Sequence, residues 1–249
     1  MSTQTAELQH VVQFSGGVGS ALSALHLAER VDPNTMTLLI ADTKAEDEDL
    51  WRFSRDLAEL IGVPLTTVSD GRDPWQLFRD QRFLANDRLA LCTKHLKQIP
   101  CRTWMQNNAP PETSIAYVGI EPTKKDRPRA AAITRNWAPW RVEFPLLDGP
   151  DRTKADLLDE LRERGLTPPR LYEMGFEHNN CGGACVRAGQ RQWCNLLDVF
   201  PERYARAEAE EEGIRTYLDK DVSILRRIRE GVPQRLTLAQ LRREQEAAS

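Results

Sequence analysis

A short apolar run from His10 to Phe14 passes straight into Ser15-Gly16-Gly17-Val18-Gly19-Ser20, after which Ala21, Ala24, Leu25 and Ala28 recur at helical spacing. Strand, glycine turn and helix in that order constrain the fold more than any other stretch of the chain. Adjacent glycines let the backbone turn tightly and present its N–H groups, Ser15 and Ser20 add hydroxyls, and the helix that follows aims its positive end at the turn. Such a turn suits an anion such as a phosphate; a plain strand-to-helix connection is the alternative. No Gly-Lys-Ser/Thr follows, as a Walker loop requires, and Gly16, Gly17 and Gly19 do not have the spacing of G-x-G-x-x-G.

The same alternation continues downstream. Met36 to Ala41 is an apolar run ending at Asp42-Thr43, and Leu50, Phe53, Leu57, Leu60 and Ile61 mark one helix face that Gly62 closes. Pro64 to Val68 reads as a third strand, Trp75 to Phe83 as a helix, Thr93 to Met105 as a longer helix interrupted near Pro100, and Ser114 to Ile120 as a fourth strand. Strands alternating with helices predict an α/β fold with a doubly wound parallel sheet. Beyond Ile120 the pattern changes to a basic irregular loop, Glu121 to Arg135, then Trp137-Ala138-Pro139-Trp140, a strand over Val142 to Leu147 and a helix over Thr153 to Arg164. Pro168-Pro169 introduces a segment rich in Gly and Cys, and a charged helical region begins near Pro201, where Glu208 to Glu212 reads as a solvated helix face. The expected division is a core over 1–149 and a smaller, mainly helical, Cys-containing region over 150–249.

In 249 residues, 40% hydrophobic and 29% charged, no run approaches the roughly 18 apolar residues of a membrane span. The polar start Met1 to Gln9 lacks the apolar centre of a signal peptide, so a cytoplasmic location is the expectation. A net charge of -3 argues against a surface made throughout for nucleic acid, although Arg127/Arg129/Arg135 and Arg226/Arg227/Arg229 are local basic clusters. Five cysteines, an odd number, disfavour a disulfide framework and turn attention to metal binding or redox chemistry.

The stretch Phe14-Ser15-Gly16-Gly17-Val18-Gly19-Ser20 resembles the SGGxDS motif of the PP-loop ATP pyrophosphatases, or adenine nucleotide alpha hydrolases, in the branch that contains phosphoadenosine phosphosulfate (PAPS) reductases. The resemblance implies that the loop holds the β and γ phosphates of ATP with Mg2+, and that ATP is cleaved between α and β. Gly19 departs from the pattern, since many ATP-cleaving members carry Asp there, as sulfonucleotide reductases do not. Ile40-Ala41-Asp42-Thr43, with Glu46 and Glu48 beyond, resembles the aspartate-threonine stretch beside the base and ribose; Asp42 also reads as an N-cap of the next helix. The nucleotide-binding set is completed by Gly119, at the end of the fourth strand.

Cys181-Gly182-Gly183-Ala184-Cys185 followed by Cys194 gathers thiols among glycines, which lets a chain wrap closely around a bulky centre. Far upstream, Leu91-Cys92-Thr93-Lys94-His95-Leu96-Lys97 resembles the cysteine-plus-basic stretch of cluster-bearing relatives, and Tyr172 to Gln192 resembles a segment of PAPS-reductase-like proteins. Cys92, Cys181, Cys185 and Cys194 are the candidate ligands of a 4Fe-4S cluster. Zinc, with His178 able to replace Cys194, and unliganded redox-active thiols are the alternatives; Cys101 reads as a packed apolar residue.

A sulfonucleotide reductase needs a mobile thiol near its C-terminus, and no cysteine follows Cys194. The resemblance therefore favours adenylylation of an acceptor, followed by sulfur replacement, as in tRNA thiolation and DNA phosphorothioation enzymes. A cysteine desulfurase as sulfur donor and a homodimer are further expectations, and the cluster would hold or deliver the sulfur. Lys94, Lys97, Arg127 and Arg129, with Lys124 and Lys125, are candidates to neutralise the leaving pyrophosphate. Arg127, Arg129, Arg135 and Arg141 interleaved with Trp137 and Trp140 would suit phosphate contacts with base stacking on a tRNA or DNA acceptor, or the tryptophans are core. A thiol-assisted PAPS or adenylylsulfate reductase and a non-catalytic nucleotide-binding module with structural zinc are the competing functions.

Overall fold

The computed structural model describes residues 7–248; the polar start, 1–6, and Ser249 lie outside them. In chain order the elements are β1 (Gln9–Phe14), α1 (Val18–Ala28), β2 (Met36–Ala41), α2 (Glu48–Ile61), β3 (Leu65–Val68), α3 (Pro74–Asp80), α4 (Ile99–Asn108), β4 (Ser114–Val118), α5 (Arg129–Trp137) and β5 (Arg141–Glu143). They continue as α6 (Lys154–Glu163), α7 (Arg170–Glu173), α8 (Gln190–Val199), α9 (Pro201–Leu218), β6 (Leu225–Arg229), β7 (Val232–Leu236) and α10 (Leu238–Ala248).

Two compact units result, and they do not follow a single cut at Gly149. One comprises the chain up to Ala41, Glu48–Val68 and Ile99–Pro169; the other comprises Asp42–Asp47, Ser69–Gln98 and Arg170 onward. The division expected at Gly149 fails because α6 packs on α1 within the first unit, while Trp75, Leu77, Phe78, Leu84 and Leu96 join one buried cluster with Trp193, Leu196 and Tyr204 in the second. Side chains of this size contribute about 1.5–3 kcal/mol each on burial, enough to give that unit a core of its own.

The first unit is an α/β layer structure. Its sheet runs β3-β2-β1-β4-β5, every pair parallel, with Val12 of β1 beside Leu38 of β2 and Tyr117 of β4. Strands buried on both faces read as unbroken apolar runs, which is why Met36–Ala41 is legible residue for residue. Val11, Leu39 and Ala116 face Cys101, Met105 and Ala109 together with Trp137 and Trp140, whereas Phe14 turns the other way onto Phe53 of α2. Helices therefore cover both faces, the doubly wound arrangement expected.

Several local expectations are corrected. The stretch Glu121 to Arg135 is not irregular throughout, since an alanine-rich helix, α5, begins at Arg129 just after Pro128. Trp137 and Trp140 form an edge-on pair at 6.4 Å in the core, and the indole Nε1 of Trp140 donates to the Ala109 carbonyl at 2.7 Å, so neither ring is a stacking platform. Within Glu208 to Glu212, Glu211 is only 1% exposed and accepts the backbone N–H groups of Ile224 (2.8 Å) and Leu238 (2.6 Å), tying α9 to the base of the β6–β7 hairpin and to α10. Near Pro100, which lacks the N–H a helix interior needs, the chain widens into a π-helical stretch over Thr93–Gln98 before α4.

Glu160 of α6 accepts from His26 of α1 (2.6 Å) and from Arg152 (2.5 Å). Burial pushes its pKa up, but the two hydrogen bonds outweigh burial and hold it at about 2, below its ordinary 4.5. A carboxyl held low contributes stability above its unfolded pKa and loses it as pH falls through the folded value. Acid denaturation followed by circular dichroism should therefore show stability falling between pH 4.5 and about 2, and Glu160→Gln should flatten that fall. An acid limb unchanged in Glu160→Gln would remove this account of the α1–α6 contact.

Candidate functional site

In the first unit β1 lies between β2 and β4, so the connections leaving β1 and β4 run to opposite sides of the sheet. Loops part at such a switch point, and ligands of doubly wound sheets bind in the crevice that opens there. The loop Ser15–Gly17 occupies this place, at the carboxyl end of β1, and α1 begins immediately after it.

Hydroxyls brace the loop from inside. Ser20, 3% exposed, donates from Oγ to the Gly17 carbonyl (2.9 Å) and accepts from the Ser15 backbone N–H (3.2 Å); the Ser15 hydroxyl lies 3.1 Å from it. Gly16 has φ +76, and a Cβ there would come within 2.5 Å of the Leu50 side chain. Gly119, just past β4, approaches so closely that a Cβ would sit 2.5 Å from both N and Cα of Ser20. The helix α1 has no side-chain cap and no acidic residue in its own first turn, and its positive end points at the loop. Chemically this is a seat for an anion.

One neighbour escaped the sequence reading. A Cβ at Gly19 would lie 3.2 Å from Cγ of Glu121, so the Glu121 side chain from the β4 side borders the place that the PP-loop pattern gives to Asp. Glu121 is ion-paired with Lys154. Its only sequence signal was its position two residues after Gly119.

Of the basic candidates in this unit, Arg127 clamps the turn beyond β5: its guanidinium donates to Asp151 (2.7 Å), to the Leu147 carbonyl (2.8 Å) and to the Gly149 carbonyl (2.5 Å). Arg129 is exposed and pairs with Asp126 in the next-turn spacing at 2.9 Å.

Within the second unit the chain leaving β2 forms a tight knot of charge. Asp42 accepts from the backbone N–H of Lys44 (2.8 Å), a local turn that leaves it no part in capping α2, which starts at Glu48. Glu46, whose side chain is 3% exposed, accepts from Thr43 Oγ1 (3.0 Å), from Lys97 Nζ (3.0 Å) and from the backbone N–H of Cys181 (2.9 Å). Asp47, 1% exposed, takes Arg170 through two nitrogens (2.9 and 3.0 Å) and Arg203 at 2.7 Å, and Arg203 in turn donates to the Gly182 carbonyl (3.0 Å). These contacts hold Cys181, Gly182 and Gly183 in three successive left-handed conformations, φ 51, 55 and 92, unusual for the cysteine. Glu46, Asp47, Arg170 and Arg203 are the residues sequence reasoning undervalued.

Three of the four candidate cysteines come together. Cys181 donates its thiol hydrogen to Cys185; that bond, helped by the Lys97 cation, lowers the Cys185 pKa, while giving the bond and burial raise that of Cys181. Cys92 is raised by burial and then by the charge of Cys185. Burial opposes the charge on Lys97, yet Glu46 and the Cys181 and Cys185 sulfurs keep its pKa above the ordinary lysine value. Cys194 stands apart on α8, with burial and Asp198 raising its pKa. Among the described residues no group of three or more His, Cys, Asp or Glu is arranged to hold a metal ion. Lys94 is exposed, and Cys101 is buried beside Met105 as expected.

The fold and loop thus define a doubly wound α/β protein with a hydroxyl-braced glycine loop at its switch point. No protein-family model and no curated protein sequence matches the chain. Among solved structures, the phosphate complex of phosphoadenylyl-sulfate (PAPS) reductase from Candida auris is similar at a TM-score of 0.45 and 14% identity, over 70% of this chain and 80% of that one.

The lowered Cys185 pKa has a direct readout. Iodoacetamide labelling at neutral pH, mapped by mass spectrometry, should modify Cys185 ahead of Cys92 and Cys194, and Cys181→Ala should slow that labelling by removing the hydrogen bond. Labelling led by Cys194, or unaffected by Cys181→Ala, would contradict the arrangement.

Proposed function

We propose that the protein binds ATP with Mg2+ through Ser15–Ser20 and adenylylates a nucleic-acid acceptor in preparation for sulfur transfer. The observation that carries this reading is the hydroxyl-braced glycine loop at the uncapped start of α1, placed at the switch point beside β4. The triphosphate lies with its β and γ groups against the loop. An acceptor oxygen attacks the α-phosphorus, the bond from that phosphorus to the bridging oxygen breaks, and pyrophosphate leaves with the electron pair. The outer sulfur of a donor persulfide, such as that of a cysteine desulfurase, then attacks the activated atom and AMP leaves with the acceptor oxygen and its electron pair; a second thiol reduces the resulting disulfide and frees the thiolated acceptor.

Gly19 removes a carboxylate that ATP-cleaving PP-loop members carry, and Glu121 borders the same place, which supports retention of chemistry rather than loss of it. In the first unit, exposed Arg129 is the basic candidate free of the structural duty that engages Arg127. Cys185, its pKa lowered by the neighbouring Cys181 thiol, suits the carriage of a sulfane sulfur.

Calorimetry tests the nucleotide reading: Ser15→Ala combined with Ser20→Ala should weaken ATP binding about tenfold or more, the scale of lost hydrogen bonds to a charged group. Unchanged affinity would overturn the assignment. Incubation with ATP, sulfide and mixed nucleic acids, read by mass spectrometry, should then yield AMP together with thiolated nucleosides, and ATP left intact would overturn the reaction.

A further inference from the structure

The nucleotide reading leaves Leu225–Leu236 unused. β6 and β7 pair antiparallel with each other through Glu230 and Gly231, both at positive φ (51 and 77), the two-residue turn that matches the twist of a ribbon. Only the base is buried, where Leu225 lies opposite Leu236. Beyond it the ribbon stands clear, and Ile228 (74%) and Val232 (58%) are the most exposed large hydrophobics among the described residues. Alternation puts Arg226, Ile228, Pro233 and Arg235 on one face, with Arg226 directly opposite Arg235 and Ile228 opposite Pro233.

Like charges facing each other across a ribbon destabilise it; Asp221 answers the charge of Arg235, and that of Arg226 is open to a counter-charge from outside. Arg227 is paired with Glu244 and Arg235 with Asp221, but Arg226 enters no ion pair among the described residues and Arg229 has only the field of Glu244. The twelve residues carry four arginines against one glutamate, in a chain whose net charge is -3. Gln190, at the start of α8, donates to the Arg226 carbonyl (3.2 Å) and pins the ribbon at its root.

From this we infer that the β6–β7 ribbon is a docking surface for double-stranded DNA. A two-stranded β-ribbon is an element the major groove of a DNA duplex admits; the deep, narrow major groove of duplex RNA does not. Arg226 and Arg229 reach phosphates, and Ile228 presents an apolar contact of the kind that thymine methyl groups accept. The ribbon inference does not depend on the nucleotide reading, because a chain that bound no ATP could still hold DNA this way.

Fluorescence anisotropy with the full chain and a short labelled DNA duplex, over a range of salt concentrations, tests it. Duplex DNA should bind more tightly than single-stranded DNA or duplex RNA of the same sequence. Each lost phosphate contact lowers the slope of log affinity against log salt by about 0.9, so Arg226→Ala with Arg229→Ala should reduce the slope by about two and weaken binding at low salt. Arg226→Lys with Arg229→Lys should keep the slope, and Ile228→Ser should weaken binding without changing it. ATP affinity should be the same in all four proteins, which separates failure here from failure of the nucleotide reading. Absent duplex binding, a preference for RNA or single strands, or an unchanged slope in the alanine variant would each overturn the inference.

Discussion

Parallel pairing of β1 with β2 on one side and β4 on the other is the constraint on which the first unit depends. It buries the central strand on both faces and sends the neighbouring connections to opposite sides of the sheet, so the backbone after β1 opens into a crevice instead of being covered. Packing at that crevice is close enough that Gly119 admits no side chain against Ser20. The serine hydroxyls then set the shape of the loop before any ligand arrives, and the start of α1, without a side-chain cap, supplies positive potential. Position, shape and potential thus follow from strand order and two small residue types, glycine and serine.

A different constraint governs the second unit. Glu46 and Asp47 are adjacent carboxylates, both almost fully buried, and an uncompensated buried charge costs about 3–5 kcal/mol when its partner is removed. Each is therefore surrounded by donors: Lys97, Thr43 and the Cys181 amide for one, Arg170 and Arg203 for the other. The strained left-handed run at Cys181 persists because these contacts over-determine it, and the same knot brings Lys97 to the Cys181–Cys185 pair. Cysteine reactivity in this chain is thus set by a network whose members are far apart in sequence.

Much of the fold was legible because apolar runs and glycine turns are local signals. Met36–Ala41 and the Ser15–Ser20 turn fall where periodicity puts them. The β6–β7 ribbon was not, since Arg226 and Arg229 fill strand positions that a half-buried strand would give to apolar residues, and the ribbon packs only at its base. Spacing grouped Cys181, Cys185 and Cys194, to which a resemblance added Cys92; Cys194 belongs to α8, which starts at Gln190, beyond the Cys181 loop. Trp137 and Trp140 read equally as stacking platforms, because arginines flank them in sequence, or as core; their burial is decided by α5 and β5 closing over the sheet edge. Glu46 and Asp47 read as ordinary acids, for burial is a property of the packed unit and leaves no mark in one sequence.

The central claim is that the Ser15–Ser20 turn holds the β and γ phosphates of an adenine nucleotide. A competition series with ATP, AMP and pyrophosphate, measured by calorimetry on the unmodified chain, tests it most directly. The account predicts that pyrophosphate displaces ATP and that AMP binds far more weakly than either; AMP binding as tightly as ATP, with pyrophosphate inert, would contradict it.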